Sequence, residues 1–207
     1  MKPKTAGYIL IVFHLVGVIG LLSPYKKEVL AITPYNILLS AILLFWFDTK
    51  KKSKFWIFGL ACVGLGLIAE SIGVNTGYLF GDYHYGPVLG YKWKGVPLLI
   101  GLNWWTLSYV SAHFAQKAFP NSVWTGAFGA AIMVAWDYLI EPVAINLNFW
   151  KWHSAQVPIF NYICWFIIAL PLQWMAQKWK IGQNNPLASW FLVSQVLFFA
   201  LLSLLKK

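Results

Sequence analysis

The sequence carries little charge and no arginine. Charged residues make up 11% of the 207 residues, against roughly 25% in soluble domains, and six of them are acidic. Hydrophobic residues contribute 59% and aromatic residues 18%. This composition excludes an ordinary soluble domain and predicts an integral membrane protein. The sixteen basic residues are all lysines in short loops and termini, which favours contact with anionic lipid headgroups over nucleic acid.

Cysteine is also scarce. Cys62 and Cys164 each lie in an apolar segment, so neither indicates a disulfide framework, and we expect both to be core residues. The histidines, cysteines and acids show no spacing typical of zinc or haem sites. No glycine pattern matches a phosphate loop or a dinucleotide fingerprint. The sequence therefore predicts neither a metal nor a cofactor.

Long apolar segments make up most of the remaining chain. A helix needs about 20 residues to cross a hydrocarbon core of ~30 Å, and no flexible linker divides the chain. We predict an all-α fold, a polytopic membrane helical bundle of about seven transmembrane helices in one domain over 1–207. The predicted segments are 6–23, 34–48, 55–74, 96–116, 122–145, 158–177 and 186–205. The second segment is short for a full crossing.

The lysines predict the orientation. No small-residue cleavage site follows the first apolar segment, so we expect it to remain as a helix. With the N-terminus in the cytoplasm, nine lysines fall inside and seven outside. The inside set is Lys2, Lys4, Lys50, Lys51, Lys52, Lys54, Lys117, Lys178 and Lys180. We expect the bacterial cytoplasmic membrane, with the acidic residues described next on its non-cytoplasmic side.

Four of the six acids are predicted to converge on one side of the membrane. Asp137 and Glu141 are four residues apart and share a helix face. Glu70 lies near the same end of a helix running in the same direction, and Asp82 follows in the next loop. An unpaired carboxylate in the bilayer costs on the order of 2.5–3.5 kcal/mol, so such residues usually face a cavity and have a function. The alternative is that they cap or bridge helices through partners such as Lys151.

Glu28 and Asp48, in contrast, have the sequence context of ordinary loop residues. The loop over 74–95 is rich in glycine and aromatic residues and contains both Asp82 and His84. It is too irregular and polar to span lipid, so we expect it at the interface or folded over a cavity as a lid.

Two hairpins resemble each other. Val96-Pro97 and Val157-Pro158 each begin a predicted helix, and Trp104 or Trp165 follows seven residues after the proline. A parallel repeat would bring the preceding carboxylates to one leaflet. Chance similarity in a tryptophan-rich chain is the alternative.

The residues around the acids indicate a type of chemistry. Burial and a neighbouring carboxylate both favour the neutral form of a carboxyl, so one member of a close pair is expected to hold a proton. Aromatic faces attract a cation. Together these groups suit acid-catalysed addition to an alkene, although interfacial aromatic belts also explain many of the rings. The candidate binding residues are Thr76, Tyr83, Tyr85, Asn103, Trp104, Tyr138, Trp152 and Asn161.

Several stretches resemble a known family. They are ESIGVNTGYLFGDYHY at 70–85, GVP at 95–97, DYLIEP at 137–142 and FWKW at 149–152. They are similar to the membrane carotenoid-biosynthesis hydratases of the CruF type, and the similarity extends over roughly 65–175.

This resemblance implies addition of water across the terminal 1,2 double bond of an acyclic ψ-end, in carotenoids such as lycopene, γ-carotene or bisanhydrobacterioruberin, without a redox cofactor. The catalytic candidates are then Glu70, Asp82, Asp137 and Glu141. Asp137 or Glu141 would protonate C2, and Glu70 or Asp82 would deprotonate the water that attacks C1. The carotenoid would arrive from the bilayer, and association with other carotenoid enzymes is a further expectation.

Other functions remain open at this stage. A carotenoid end-group cyclase would form a similar cation and release it by ring closure. A proton-coupled transporter would use the intramembrane acids, but these lie on one side only. A retinal-binding protein needs a lysine in the last helix, and the segment 186–205 contains none.

Overall fold

The structure is a computed structural model that describes residues 1–48, 52–120, 122–154 and 156–205. It confirms the predicted all-α fold, with seven helices in the described part of the chain. They are α1 (Pro3–Leu21), α2 (Lys26–Trp46), α3 (Ser53–Thr76), α4 (Leu98–Ala118), α5 (Trp124–Asn146), α6 (Ile159–Trp179) and α7 (Ala188–Leu205). Of the lysines used to predict orientation, Lys50, Lys51, Lys206 and Lys207 lie outside the described residues.

Two predicted boundaries were wrong. The second helix was predicted to begin at residue 34. It begins at Lys26 and continues through Pro34. A proline inside a helix removes one backbone hydrogen bond without necessarily ending the helix, and here it leaves the Leu30 carbonyl without its helical donor. The third helix continues to Thr76, so it includes the first residues of the predicted lid loop. Glu28 is therefore in the first turn of α2 and not in a loop.

Helix α4 is the central helix of the bundle. Six of the seven helices described are long and apolar enough to cross a membrane, and α4 has the length but not the apolarity. It contacts α2, α3, α5, α6 and α7, and it buries polar side chains such as Thr106, Ser108 and Gln116. Since its neighbours shield it from lipid, it does not need an apolar surface.

The two loops on one side of the bundle pair with each other. The lid loop, defined here as 77–97, contains β1 (Tyr83–Tyr85), which pairs antiparallel with β4 (Trp150–Trp152) in the loop after α5. The same lid loop contains a short hairpin of β2 (Lys92–Trp93) and β3 (Val96–Pro97). We call the β1–β4 pair the lid ribbon. It joins segments that are far apart in sequence and places Tyr83 opposite Trp152.

The end of the lid ribbon depends on Gly86. A Cβ added there would lie 1.9 Å from the Asn148 carbonyl oxygen, and the Gly86 amide donates to the Phe149 carbonyl at 2.8 Å. We expect Gly86→Ala to cost ~1–3 kcal/mol through this backbone clash, which corresponds to a fall of roughly 2–12 °C in the thermal unfolding midpoint. Thermal unfolding of the purified protein in detergent measures it.

Gly64→Ala is the matched control, because nothing lies within 4 Å of an added Cβ at that position in α3. An unchanged midpoint for Gly86→Ala would show that the ribbon relaxes around the methyl group without loss of stability.

Candidate active site

A cavity of about 130 Å³ lies inside the bundle beneath the lid ribbon. Three of the four predicted catalytic acids line it: Glu70 from α3 and Asp137 and Glu141 from α5. Their exposed fractions are 3%, 5% and 4%. Among the described residues, no lysine or histidine forms an ion pair with any of the three. The acids therefore share one buried chamber without a neutralising cation from the described chain.

Of the three cavity acids, Glu70 has the most hydrogen-bond donors among the described residues. The hydroxyl groups of Tyr83 and Tyr85 donate to Oε2, the latter at 2.8 Å, and the Trp104 indole N–H donates to Oε1 at 3.1 Å. Burial, and then the charge of Glu70, raise the pKa of Tyr83 and Tyr85, so both phenols keep their protons and remain donors. An added Cβ at Gly66 would lie 2.4 Å from the Trp104 ring, so this glycine allows the indole to pack against α3.

Glu141 has two donors, both from β4. The indole N–H groups of Trp150 and Trp152 donate to Oε2 at 2.9 and 3.1 Å. Asp137, one helical turn earlier, has a single donor among the described residues, the Asn161 amide at 2.7 Å. Because donors stabilise the ionised form of a carboxyl, Glu70 and Glu141 are better supported as carboxylates than Asp137.

Aromatic rings form much of the cavity wall. Trp104 and Trp165 stack with ring centroids 4.1 Å apart and an interplanar angle of 5°. The ring centroids of Tyr83 and Trp152 lie 5.0 Å apart. Trp136 and Phe149 also line the cavity. Such walls offer π-faces to a developing positive charge.

Several of these wall residues were not among the predicted binding residues. Trp165 could have been predicted from its spacing, because it follows Pro158 by seven residues just as Trp104 follows Pro97. The structure places both prolines at helix N-caps, Pro97 at that of α4 and Pro158 at that of α6. The cavity also reaches α2 and α7, and we found no sequence signal for those residues. They are Ile37, Ser40, Phe191, Gln195 and Phe199.

Five of the eight predicted binding residues line the cavity and make the contacts given above. They are Tyr83, Tyr85, Trp104, Trp152 and Asn161. Asn103 is a sixth, and no described residue hydrogen-bonds its amide. Its amide is therefore available to a ligand or a water molecule.

Three predicted residues lie elsewhere. The Asp82 side chain is 73% exposed and pairs with His153 at 2.9 Å. Thr76 is exposed, and its hydroxyl donates to the Ile72 carbonyl. Tyr138 is 69% exposed on the outer face of α5, beside Tyr162. The helical period explains the exposure of Tyr138, because successive residues of a helix point in different directions. Asp137 and Glu141 share the buried face of α5, and the Tyr138 side chain points away from it.

Asp48 differs from the expectation of an ordinary loop acid. It is 9% exposed and accepts a hydrogen bond from the Tyr109 hydroxyl. The oxygen of that hydroxyl in turn accepts a hydrogen bond from the Asn185 side-chain amide at 2.9 Å. Neither Asp48 nor Tyr109 lines the cavity. The carboxylate joins α4 to the segment before α7, so its polar partners explain its burial.

The fold and the cavity define a class: a polytopic membrane protein with a chamber of buried carboxylic acids and aromatic rings. Residues 32–207 match the family model described as carotenoid biosynthesis protein. The chain belongs to this family.

A curated relative is the bisanhydrobacterioruberin hydratase of Haloarcula japonica. It is 28% identical to this chain over an alignment that covers 77% of this chain and 60% of the relative. The chain therefore spans less than two thirds of that protein's length. No solved structure matches the chain.

Proposed function

We propose that the protein is a carotenoid 1,2-hydratase. It adds water to the terminal double bond of an acyclic ψ-end, as in lycopene or γ-carotene, and yields a tertiary alcohol. The observation that carries the proposal is the unequal supply of hydrogen-bond donors to three buried acids in one aromatic cavity. The hydratase relative named above supports the same reaction type.

In this proposal Asp137 is the proton donor. It is 5% exposed, lies one turn from Glu141, and has only the Asn161 amide as a donor among the described residues. A buried carboxyl next to a carboxylate and with few donors is most stable with its proton in place. Asp137 gives this proton to C2 of the end group, and the positive charge develops at C1, the more substituted carbon.

Trp104, Trp165 and the Glu141 carboxylate then stabilise the cation. The two indoles line the cavity as a stacked pair, and Glu141 supplies a negative charge held in position by Trp150 and Trp152. Preorganised charges and dipoles of this kind are usually the largest contribution to catalysis.

Glu70 activates the water. Three donors stabilise its carboxylate, and Asn103, adjacent in sequence to Trp104, offers an amide that no described residue binds. Water held between these groups attacks C1, and Glu70 takes up the released proton. That proton returns to Asp137 through Glu141 or water, so the net reaction consumes only the alkene and water. Asp82, although a sequence candidate for this step, has no place in the proposal because its side chain is exposed.

The substrate reaches the site from the bilayer, since carotenoids are insoluble in water. The lysine distribution supports placing the lid side on the non-cytoplasmic face of the bacterial cytoplasmic membrane. Association with other carotenoid enzymes stays a prediction.

Expression in a lycopene-producing bacterium tests the function, with chromatography and mass detection of the pigments. A product heavier than the substrate by one water supports hydration. An isomeric product would instead identify an end-group cyclase, and unchanged pigment would contradict both activities.

Replacing Trp165 tests the aromatic wall. We expect Trp165→Leu to lower the rate of hydration by roughly two- to thirty-fold, which corresponds to ~0.5–2 kcal/mol of lost cation–π stabilisation. The measurement is hydrated pigment per unit of inserted protein. Trp124→Leu is the control, because Trp124 is 67% exposed and does not line the cavity. Equal losses in both variants would argue against a specific role for the indole.

A further inference from the structure

The cavity extends well beyond the acids. Ile37 and Ser40 of α2, and Phe191 and Gln195 of α7, line its deeper part, whereas Phe199 of α7 lines it at about the depth of Glu70. Glu70 lies six residues before the end of α3, roughly 9 Å from the lid side at 1.5 Å per residue. Ser40 lies fourteen residues after the start of α2 on that side, at a depth of roughly 21 Å. The chamber thus runs from the acids along the membrane normal.

The cavity is too small for a whole carotenoid. Pockets that enclose a drug-sized ligand measure roughly 300–1,000 Å³, whereas this cavity measures about 130 Å³. An end group fits beside the acids, but the long polyene attached to it must leave the protein. Since the polyene is apolar, it leaves toward lipid and not toward water.

Helix α2 is the wall that is packed least tightly around this deeper part. Its buried residues are Ser40, Ala41, Leu43 and Leu44, so residues 26–39 contain none. Pro34 interrupts the backbone hydrogen bonds in the middle of this stretch. Val29, Leu30, Ile37 and Leu39 in this stretch are only partly buried against the core. A half-helix packed in this way, with a weakened hydrogen-bond ladder, therefore separates at a lower cost in free energy than a fully buried one.

We propose that Ile37, Ser40, Phe191, Gln195 and Phe199 form a polyene subsite, and that the substrate enters and leaves past the first half of α2. The proposal rests on the proposed function for the identity of its ligand, a conjugated isoprenoid chain. In this arrangement the end group reaches the acids while the polyene contacts Phe191 and Phe199. Gln195 is held toward α1 by His14, with the two side-chain nitrogens 3.0 Å apart, so its amide is engaged away from the polyene.

Ser40→Trp tests the subsite by filling it with an indole. Two quantities are measured in cells that make lycopene: hydrated pigment per unit of protein, and carotenoid that copurifies with the protein in detergent, from its visible absorbance. The second is measured in an Asp137→Asn background, so it does not depend on turnover. We expect Ser40→Trp to lower both by about tenfold or more.

Ile42→Trp is the matched control. Ile42 is on the same helix beyond the half past which the substrate enters, is 58% exposed and does not line the cavity, so we expect both quantities to stay within about twofold of the parent protein. Should Ser40→Trp fail to insert, Phe191→Trp narrows the same subsite from α7 and is judged by the same measurements.

The outcomes separate the subsite from the reaction. Full carotenoid retention and full hydration in Ser40→Trp would overturn the subsite and leave the hydratase function intact. A parent protein that retains carotenoid but forms no hydrated pigment would overturn the function and leave the subsite. Phospholipid in place of carotenoid in the purified parent protein would overturn the subsite as well.

Discussion

Asp137→Asn is expected to lower hydration by a factor of about 10²–10⁴, the usual contribution of a general acid. The asparagine has the shape of the aspartate but no proton acidic enough to give to an alkene. Its side-chain oxygen still accepts from Asn161, which donates to Asp137 at 2.7 Å in the parent protein. Insertion and folding should therefore be unchanged. The measurement is hydrated pigment per unit of membrane-inserted protein.

Asp82→Asn is the control for this variant. Its side chain is 73% exposed and lies outside the cavity, so we expect its hydration rate to stay close to that of the parent protein. If Asp137→Asn were fully active, Asp137 would not be the proton donor. If Asp82→Asn were as inactive as Asp137→Asn, the lid acid would belong to the reaction despite its exposure.

Glu70→Gln is expected to lower the hydrated product by a factor of about 10²–10⁴. Unlike Asp137→Asn, it is also expected to change the isotopic composition of the pigment recovered from D₂O. The cation still forms in this variant, because Asp137 keeps its proton, whereas the water is no longer deprotonated. The cation then returns to an alkene by losing a proton. In D₂O this exchange introduces deuterium into the recovered pigment. Mass detection of that pigment therefore distinguishes the two acids.

The deuterium experiment assigns the roles of the two acids. We expect label in the pigment recovered from Glu70→Gln and none in that from Asp137→Asn. The reverse pattern would exchange their roles. Glu28→Gln is the control, since Glu28 is exposed in the first turn of α2 and touches no part of the cavity.

Much of the fold could be predicted from apolar segment lengths alone. All seven predicted helices exist, because a stretch of apolar residues in a bilayer must satisfy its own backbone hydrogen bonds as a helix. The start of α2 could not be predicted, since a helix that passes through Pro34 carries the same local pattern as one that begins there. The apolar criterion also does not fit α4, whose polar residues are shielded by five neighbouring helices.

The site was predictable to a smaller extent. The pairing of Asp137 with Glu141 follows from their spacing, and Glu70 follows from the parallel direction of α3 and α5. The positions of Asp82 and Tyr138 did not follow, because exposure depends on how a loop folds and how a helix rotates about its axis. The contribution of α2 and α7 to the cavity was not detectable, since Ile37 or Phe199 has no local pattern that separates it from any other apolar helix residue.

The sequence by itself determined that this chain is a membrane helical bundle with acids at one side, because helix length, hydropathy and four-residue spacing are local properties. Only the tertiary structure decided that Glu70 has three hydrogen-bond donors, Glu141 two and Asp137 one among the described residues. The difference arises from the pairing of β1 with β4 and from helix packing, which bring donors from distant segments to each carboxyl group. Since hydrogen bonding stabilises the ionised form, these long-range contacts distinguish three acids that are chemically alike.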